Sequence, residues 1–388
     1  MLNWHPLRDF ILLIALAPLA YYLLASIAAL HFFTKKRREP DGFAPPISVL
    51  KPVRGLDPGA YENFASFCRL DYPVYEIIFN VADDQDAAIP VIEQIMRDFP
   101  DRQIRLLIGA ERLGVSNKVN KLSRMVDEAQ YEHLVISDSD IRVTDGYLWS
   151  VIAPFANPKI GAVTCLYRGV PGDSIGSQFE AIGNSSDFDA GVISAWQLGM
   201  VNFTLGATMA TTKRCLRKIG GFENLADQFT DDYELGNRLT ALGYKVAISR
   251  QPVETVYPAH SLREAFRHQV RWALTIRHSN PAGHLGLIFT QGLFWCLLAA
   301  CVAHSVALAA GYIFGYLLLR GTMAWTVGVW GMKDSFLKKR LWFLPARDAW
   351  AFLVLLSSFL TRRIEWRGVE YYIRGKELIP IQPRTARG

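Results

Sequence analysis

Hydrophobic and polar positions divide the chain into three stretches. The first, "FILLIALAPLAYYLLASIAALHFF" from Phe10 to Phe33, carries no Lys, Arg, Asp or Glu. It is long enough to cross a bilayer as a helix, so residues 1–34 read as an N-terminal transmembrane helix. From Ile47 to about Pro258 short apolar runs alternate with amphipathic ones. "ISVLKPV", "YEIIFNVAD", "IRLLIG" and "HLVISD" predict strands. Helical patterns separate them: a stretch ending near Arg69, then "AAIPVIEQIMRDF" and "NKVNKLSRMVDEA". This alternation predicts an α/β domain over 45–260, a largely parallel sheet with helices on both faces.

After Pro258 the pattern changes again. "SLREAFRHQVRWALTIRH", Ser261 to His278, places Leu262, Ala265, Phe266, Gln269, Ala273 and Ile276 near one helical face and its arginines elsewhere. A basic amphipathic helix of this kind lies in a membrane interface or packs on the soluble domain; residues 261–284 are assigned to it. Between Gly286 and Met332 only Arg320 is formally charged. Residues 285–332 therefore hold two spans, roughly 287–307 and 309–331, with Arg320 and His304 facing protein or water. The segment 341–362 has the length to span but carries Pro345, Arg347 and Asp348. It reads as a re-entrant or interfacial helix, with a third C-terminal span as the alternative. Residues 363–388 form a basic tail.

Composition refines this picture. The chain is 51% hydrophobic with a net charge of +6, which fits a mixture of membrane and soluble parts. The basic residues cluster beside apolar runs, as membrane flanks do, and not as a nucleic-acid-binding face. "KKRR", Lys35 to Arg38, directly succeeds the first span and places the α/β domain in the cytoplasm. The five cysteines form no CxxC pair, so they predict reduced thiols, no disulfide framework and no zinc site.

The candidate chemistry sits at strand ends, where open α/β sheets bind ligands. Asp138 and Asp140 form a D-x-D after the fourth strand, and Asp83 lies just past the second. Unpaired carboxylates there are costly. A D-x-D holds Mg²⁺ or Mn²⁺ against a nucleotide diphosphate, or serves phosphoryl transfer as D-x-D-x-[TV]. Arg142 occupies the last position of that second pattern, which counts against it. Lys118 and Lys121 open a helix beside the same crevice, a natural phosphate cradle. Asp231 and Asp232 precede a further helix, as a cap or as a base for an attacking hydroxyl.

In order, "VADDQDAAI", "ISDSDIRV", "TDDYELG" and "HQVRW", with one span before and several after, closely resemble the ceramide glucosyltransferase family. The likeness runs from "LKPVRGLD" to "IEWRG", and "VTCLYRG" and "TIRHSNPAGHLGLIFT" resemble bacterial enzymes acting on hopanoid or ceramide-type lipids. The resemblance implies a Rossmann-like GT-A domain and an inverting transfer of a sugar, glucose or N-acetylglucosamine, from a UDP-sugar to a membrane lipid, at the cytoplasmic face of a bacterial inner membrane. It implies that Asp83 contacts the uridine, that Asp138 and Asp140 hold the metal, and that Lys118 stabilises the diphosphate. Asp232 matches the catalytic base, and Arg271 with Trp272 matches the RW pair near the diphosphate and the lipid entrance. His268 stands where the family has Gln or Arg. The alternatives are a processive polysaccharide synthase and a non-catalytic lipid-binding membrane protein.

Overall fold

A computed structural model describes residues 5–35, 42–228, 230–361, 363–366, 369–374 and 377–381. Residues Lys36 to Arg38 of the basic run and 382–388 of the tail lie outside the described residues. The α/β domain contributes eight strands: β1 (Ile47–Pro52), β2 (Tyr75–Val81), β3 (Gln103–Ile108), β4 (His133–Ile136), β5 (Ile141–Arg142), β6 (Ile160–Val170), β7 (Met209–Thr212) and β8 (Lys245–Val256). They form one sheet in the order β3-β2-β1-β4-β7-β6-β8-β5.

The four strands predicted by the apolar runs make its parallel half, β3-β2-β1-β4. The other half is mixed: β7 runs antiparallel to both β4 and β6, β8 is parallel to β6, and β5 is antiparallel to β8. Every residue of β1 and β2 is buried, as strands covered on both faces must be. Alternation then sorts their side chains. Val49 and Phe79 join the cluster with Phe64 and Phe67, whereas Leu50 and Ile78 join the one with Val119 and Leu122.

Among the described residues, three helical segments are long and apolar enough to cross a membrane: Pro6–Thr34, Val306–Gly331 and Leu341–Leu360. A fourth candidate, Pro281–Thr290 continued by Gly292–Val302, is bent by 48°. The expected first C-terminal span is thus a broken helix. Arg320 is buried, as its position in an apolar run demands. Its Nε and Nη2 each lie 2.9 Å from the Asp348 carboxylate, Nη2 also lies 2.9 Å from Asp187, and the Tyr316 hydroxyl donates to Asp348 at 2.9 Å. Asp187 pairs with Arg347 too. Since Asp187 belongs to the α/β domain, this network bolts the domain to the apolar helices.

The amphipathic helix is Leu262–Ser279, opened by a capping box in which Ser261 and Glu264 satisfy each other's backbone amides. It runs beside Leu344–Leu360: the Phe266 and Trp350 rings lie 6.0 Å apart, and Arg277 Nη1 donates to the Ser358 carbonyl at 2.6 Å. The tail folds into an antiparallel sheet, β9 (Arg363–Trp366), β10 (Val369–Arg374) and β11 (Glu377–Pro380). Its Ile373 is buried against Leu274, with Val115 of the α/β domain alongside.

Candidate active site

Parallel strands deliver their carboxyl ends to one edge. The amide of Val53, just past β1, donates to the Asn80 carbonyl, and that of Ser137, just past β4, donates to the Leu50 carbonyl. Asp138 comes next on this edge. Helix Asn117–Glu128 begins nearby, with the Ser116 side chain accepting from the Val119 amide. Its first turn carries Lys118, whose Nζ lies 2.7 Å from Asp138 Oδ1 and 3.6 Å from Asp231 Oδ2.

Helix Asp231–Ala241 supplies the opposite wall. The Thr204 hydroxyl donates to the Asp232 carbonyl at 2.6 Å, and the Phe203 and Tyr233 rings stack at 6.4 Å. These contacts hold the segment 202–206 against the helix and bring Gly206 to the crevice. A Cβ on Gly206 would sit 3.2 Å from Asp232 Oδ2 and 3.5 Å from Asp138 Oδ2. The two carboxylates therefore converge on a residue with no side chain. Asp232 Oδ1 accepts from the Tyr233 amide at 2.8 Å, which leaves Oδ2 facing the crevice.

Burial first, and the crowding of like charge after it, set the electrostatics. Burial, then Asp138 and Asp57, push Asp140 up to about 7, with Lys51 opposing. Burial, then Asp231, push Asp232 up to about 6, with Lys118 opposing. Burial disfavours the Lys118 charge, but Asp138 and Asp231 outweigh it and hold its pKa above the ordinary range. Carboxyl groups lifted by burial and by one another, a lysine drawn to 2.7 Å, and a glycine where a methyl would touch oxygens of Asp232 and Asp138 make a crevice whose negative charge a cation would relieve.

Four residues here carry roles that the sequence pattern did not assign. Lys51 is fully buried in β1, and its Nζ donates to the Asp138 carbonyl at 2.9 Å and lies 3.8 Å from the centre of the Phe67 ring. Burial pulls its pKa down to about 7 against the pull of Asp140 and Asp138. A lysine inside the run "ISVLKPV" was the available signal. Asp57 accepts from the Ser139 hydroxyl, Gly206 shapes the crevice, and Asp231 pairs with Lys118. Lys121, expected in the phosphate cradle, is buried and donates to the Val53 carbonyl at 2.6 Å, so it fixes the loop after β1.

Asp83 sits just past β2 on the same edge, exposed, with Oδ1 accepting from the Gln85 amide. Trp272 packs among Tyr167, Phe188 and His268, with ring centres 6.3, 6.3 and 5.2 Å away. Arg271 precedes it, half-buried, on the helix Leu262–Ser279. A separate group, Glu180, His260 and His268, has ligating atoms all within 4.8 Å of one another and could hold a metal ion.

The structure thus joins a globular α/β domain, with an acidic, lysine-lined crevice at its strand ends, to long apolar helices of membrane-spanning length. The profile of glycosyl transferase family 21 matches residues 10–379, and the chain belongs to that family. It is 25% identical over 354 residues to ceramide glucosyltransferase 3 of Caenorhabditis elegans, covering 88% of this chain and 75% of the relative. Ceramide glucosyltransferase 1 of the same organism is 25% identical, with 86% and 72% covered. Among solved structures, the mannosyltransferase PcManGT of Pyrobaculum calidifontis, in complex with GDP-Man and Mn²⁺, superposes with a TM-score of 0.53 at 17% identity. The alignment covers 91% of this chain and 99% of that one, a likeness of fold.

Proposed function

We propose that the chain moves a sugar, glucose or N-acetylglucosamine, from a UDP-sugar to the hydroxyl of a membrane lipid by one inverting displacement. Ceramide and a hopanoid polyol are the acceptor classes proposed. The observation that carries this reading is the convergence of Asp138 and Asp232 on Gly206, with Lys118 on the same carboxylate and apolar helices alongside. The named activities of the worm relatives and the Mn²⁺ in the mannosyltransferase complex support it.

In this reading Asp138 and Asp140 hold Mg²⁺ or Mn²⁺. Bound there, the cation offsets the charge of the leaving nucleotide diphosphate. Lys118 adds a second positive charge at the same place, an electrostatic contribution made where charge develops. Asp232 takes the proton of the attacking hydroxyl on Oδ2. A carboxylate lifted to about 6 is ionised at neutral pH yet more basic than an ordinary one, as a general base requires. Asp83 accepts hydrogen bonds from the uridine. Arg271 and Trp272 border the diphosphate and the path of the lipid.

The contact of Ile373 with Leu274 and Val115 supports a topology with the tail and the α/β domain on one side, the cytoplasmic side of a bacterial inner membrane. An even number of crossings must then separate them. Leu344–Leu360 lies along the amphipathic helix and buries Arg347 and Asp348, so it is the segment assigned to the interface, and 285–332 supplies two crossings.

The test is release of UDP from UDP-sugars by purified protein with Mn²⁺ and a lipid acceptor, with Asp232→Asn as control. Mass spectrometry of lipids from cells with and without the protein then identifies sugar and acceptor. Turnover abolished by Asp232→Asn, with a hexose or N-acetylhexosamine mass added to one lipid class, is expected. No turnover with any donor refutes the reading, and a polymeric product selects the processive synthase instead.

A further inference from the structure

Glu180, on helix Ile175–Gly183, is fully buried, and two histidines and an amide reach its carboxylate. His268 Nδ1 lies 2.6 Å from Oε1, His260 Nδ1 lies 3.3 Å from Oε2, and Gln269 Nε2 lies 3.4 Å from Oε1. Two imidazole nitrogens and a carboxylate drawn from separate elements thus face one another inside the protein. Such a set serves as a hydrogen-bonded cluster or as the ligands of a metal ion.

We propose that Glu180, His260 and His268 form a second metal site, separate from the Asp138 and Asp140 crevice, for a first-row divalent ion of borderline softness such as Zn²⁺. The donor set decides the class. Two imidazole nitrogens and one carboxylate suit Zn²⁺ and its neighbours, whereas Mg²⁺ takes oxygen ligands. The three ligating atoms already fall within 4.8 Å of one another, so small shifts bring them onto one ion. The sequence concealed the site: its ligands lie 80 residues apart or at a spacing of about eight, and the cysteines take no part.

The placement gives the ion a structural purpose. Glu180 belongs to the α/β domain. His260 stands before the capping box and His268 in the second turn of the amphipathic helix. The Ser174 hydroxyl donates to the His260 carbonyl at 2.6 Å, which pre-forms one corner. A shared ion therefore staples the amphipathic helix to the domain two turns from its start. The His268 ring, 5.2 Å from Trp272, carries that constraint to the aromatic cluster beside the crevice.

The site is independent of the reaction assigned to the crevice, and its test reads metal and not turnover. Full-length protein in detergent is stripped with chelator, reloaded with Co²⁺ or Zn²⁺ and desalted. Metal content and the visible spectrum of bound Co²⁺ are recorded for wild type, His260→Ala, His268→Gln, Glu180→Gln and the double variant Asp138→Asn/Asp140→Asn. We expect about one Co²⁺ per chain with a nitrogen-ligated band, kept in the Asp138/Asp140 variant. His260→Ala and His268→Gln lose it by tenfold or more in affinity. Zn²⁺ raises the thermal midpoint of wild type but not of Glu180→Gln, which checks the result should a histidine variant fold poorly. A folded wild type that retains no ion, or a Co²⁺ band unchanged in variants that remain folded, overturns the proposal and leaves a hydrogen-bonded His–Glu–His cluster.

Discussion

Gly206 offers the sharpest separation of catalysis from stability. Gly206→Ala adds one methyl group at a point 3.2 Å from Asp232 Oδ2 and 3.5 Å from Asp138 Oδ2. The first distance is a few tenths of an ångström inside ordinary contact, so the base, the methyl or both must shift. Gly206 is not among the glycines with positive φ, so alanine meets no backbone strain. Replacing glycine at a compatible position stabilises a fold by about 0.4–1 kcal/mol through the unfolded chain, which roughly offsets the tight contact. The thermal midpoint should therefore hardly move. Catalysis should suffer, because the methyl fills the room between base and metal-binding carboxylate, where the reacting carbon and hydroxyl must meet. A misplacement of about 1 Å at a reacting centre costs on the order of 100-fold, or roughly 2.7 kcal/mol in the barrier. Gly236 is the internal contrast. Its Cβ would sit 2.5 Å from the Phe203 carbonyl carbon, a backbone clash in the same helix–loop pair, so Gly236→Ala should lose about 1–3 kcal/mol of stability. The assay is kcat/KM for UDP release in lipid nanodiscs, with thermal unfolding of each variant. Gly206→Ala with activity within twofold of wild type and an unchanged midpoint would refute the placement of the reaction between Asp138 and Asp232.

Three further outcomes are expected of the same centre and its supports. Asp140 and Asp232 have folded-state pKa values raised to about 7 and about 6, so in metal-free protein the stability they contribute is present in acid and lost as pH rises from about 4 through about 7. Added Mn²⁺ should accordingly raise the thermal midpoint more at pH 8 than at pH 5.5, while kcat/KM falls about tenfold per unit below pH 6; an Mn²⁺ effect independent of pH contradicts the assignment. Lys51 lowers the Asp140 pKa, so Lys51→Met should move the midpoint of Mn²⁺ loading to higher pH, measured by titration; a downward shift is the opposing result. Arg320→Met strands the buried Asp348 and should cost about 3–5 kcal/mol in detergent unfolding, and adding Asp348→Leu should recover part of it; equal stability of Arg320→Met and wild type would show the network to be idle.

The parallel half of the sheet was legible because β1, β2 and β4 are continuous apolar runs bounded by helical patterns, and a strand end marks where a carboxylate can face ligand. That logic alone puts Asp138 at the crevice edge. β6 and β8 were not legible, since they interleave Thr164, Arg168, Gln251 and Glu254 with apolar residues, and their pairing across about 80 residues has no local signature. The tail misled for a related reason. Its charge masked a period-two pattern that became evident only once Ile373 met Leu274.

Charged residues in the apolar runs obey one rule at two depths. Arg320 and Asp348 were each conspicuous, and burial predicted that each had a partner, but only the packed helices reveal that they are each other's, with Asp187 shared from the domain. Glu180 shows where the rule becomes silent. A glutamate in "SQFEAIG" carries no mark of burial, and two histidines beyond Pro258 carry no mark of proximity to it. What cannot be read from one stretch is the cost of desolvating a charge, because that cost is set by elements distant in the chain. The crevice and the His–Glu–His cluster share this dependence: each gathers ligand-type side chains from elements distant in the chain. A cation at each place would make the fold of the domain and the attachment of its amphipathic helix depend on metal in different ways, one through oxygen ligands and one through nitrogen.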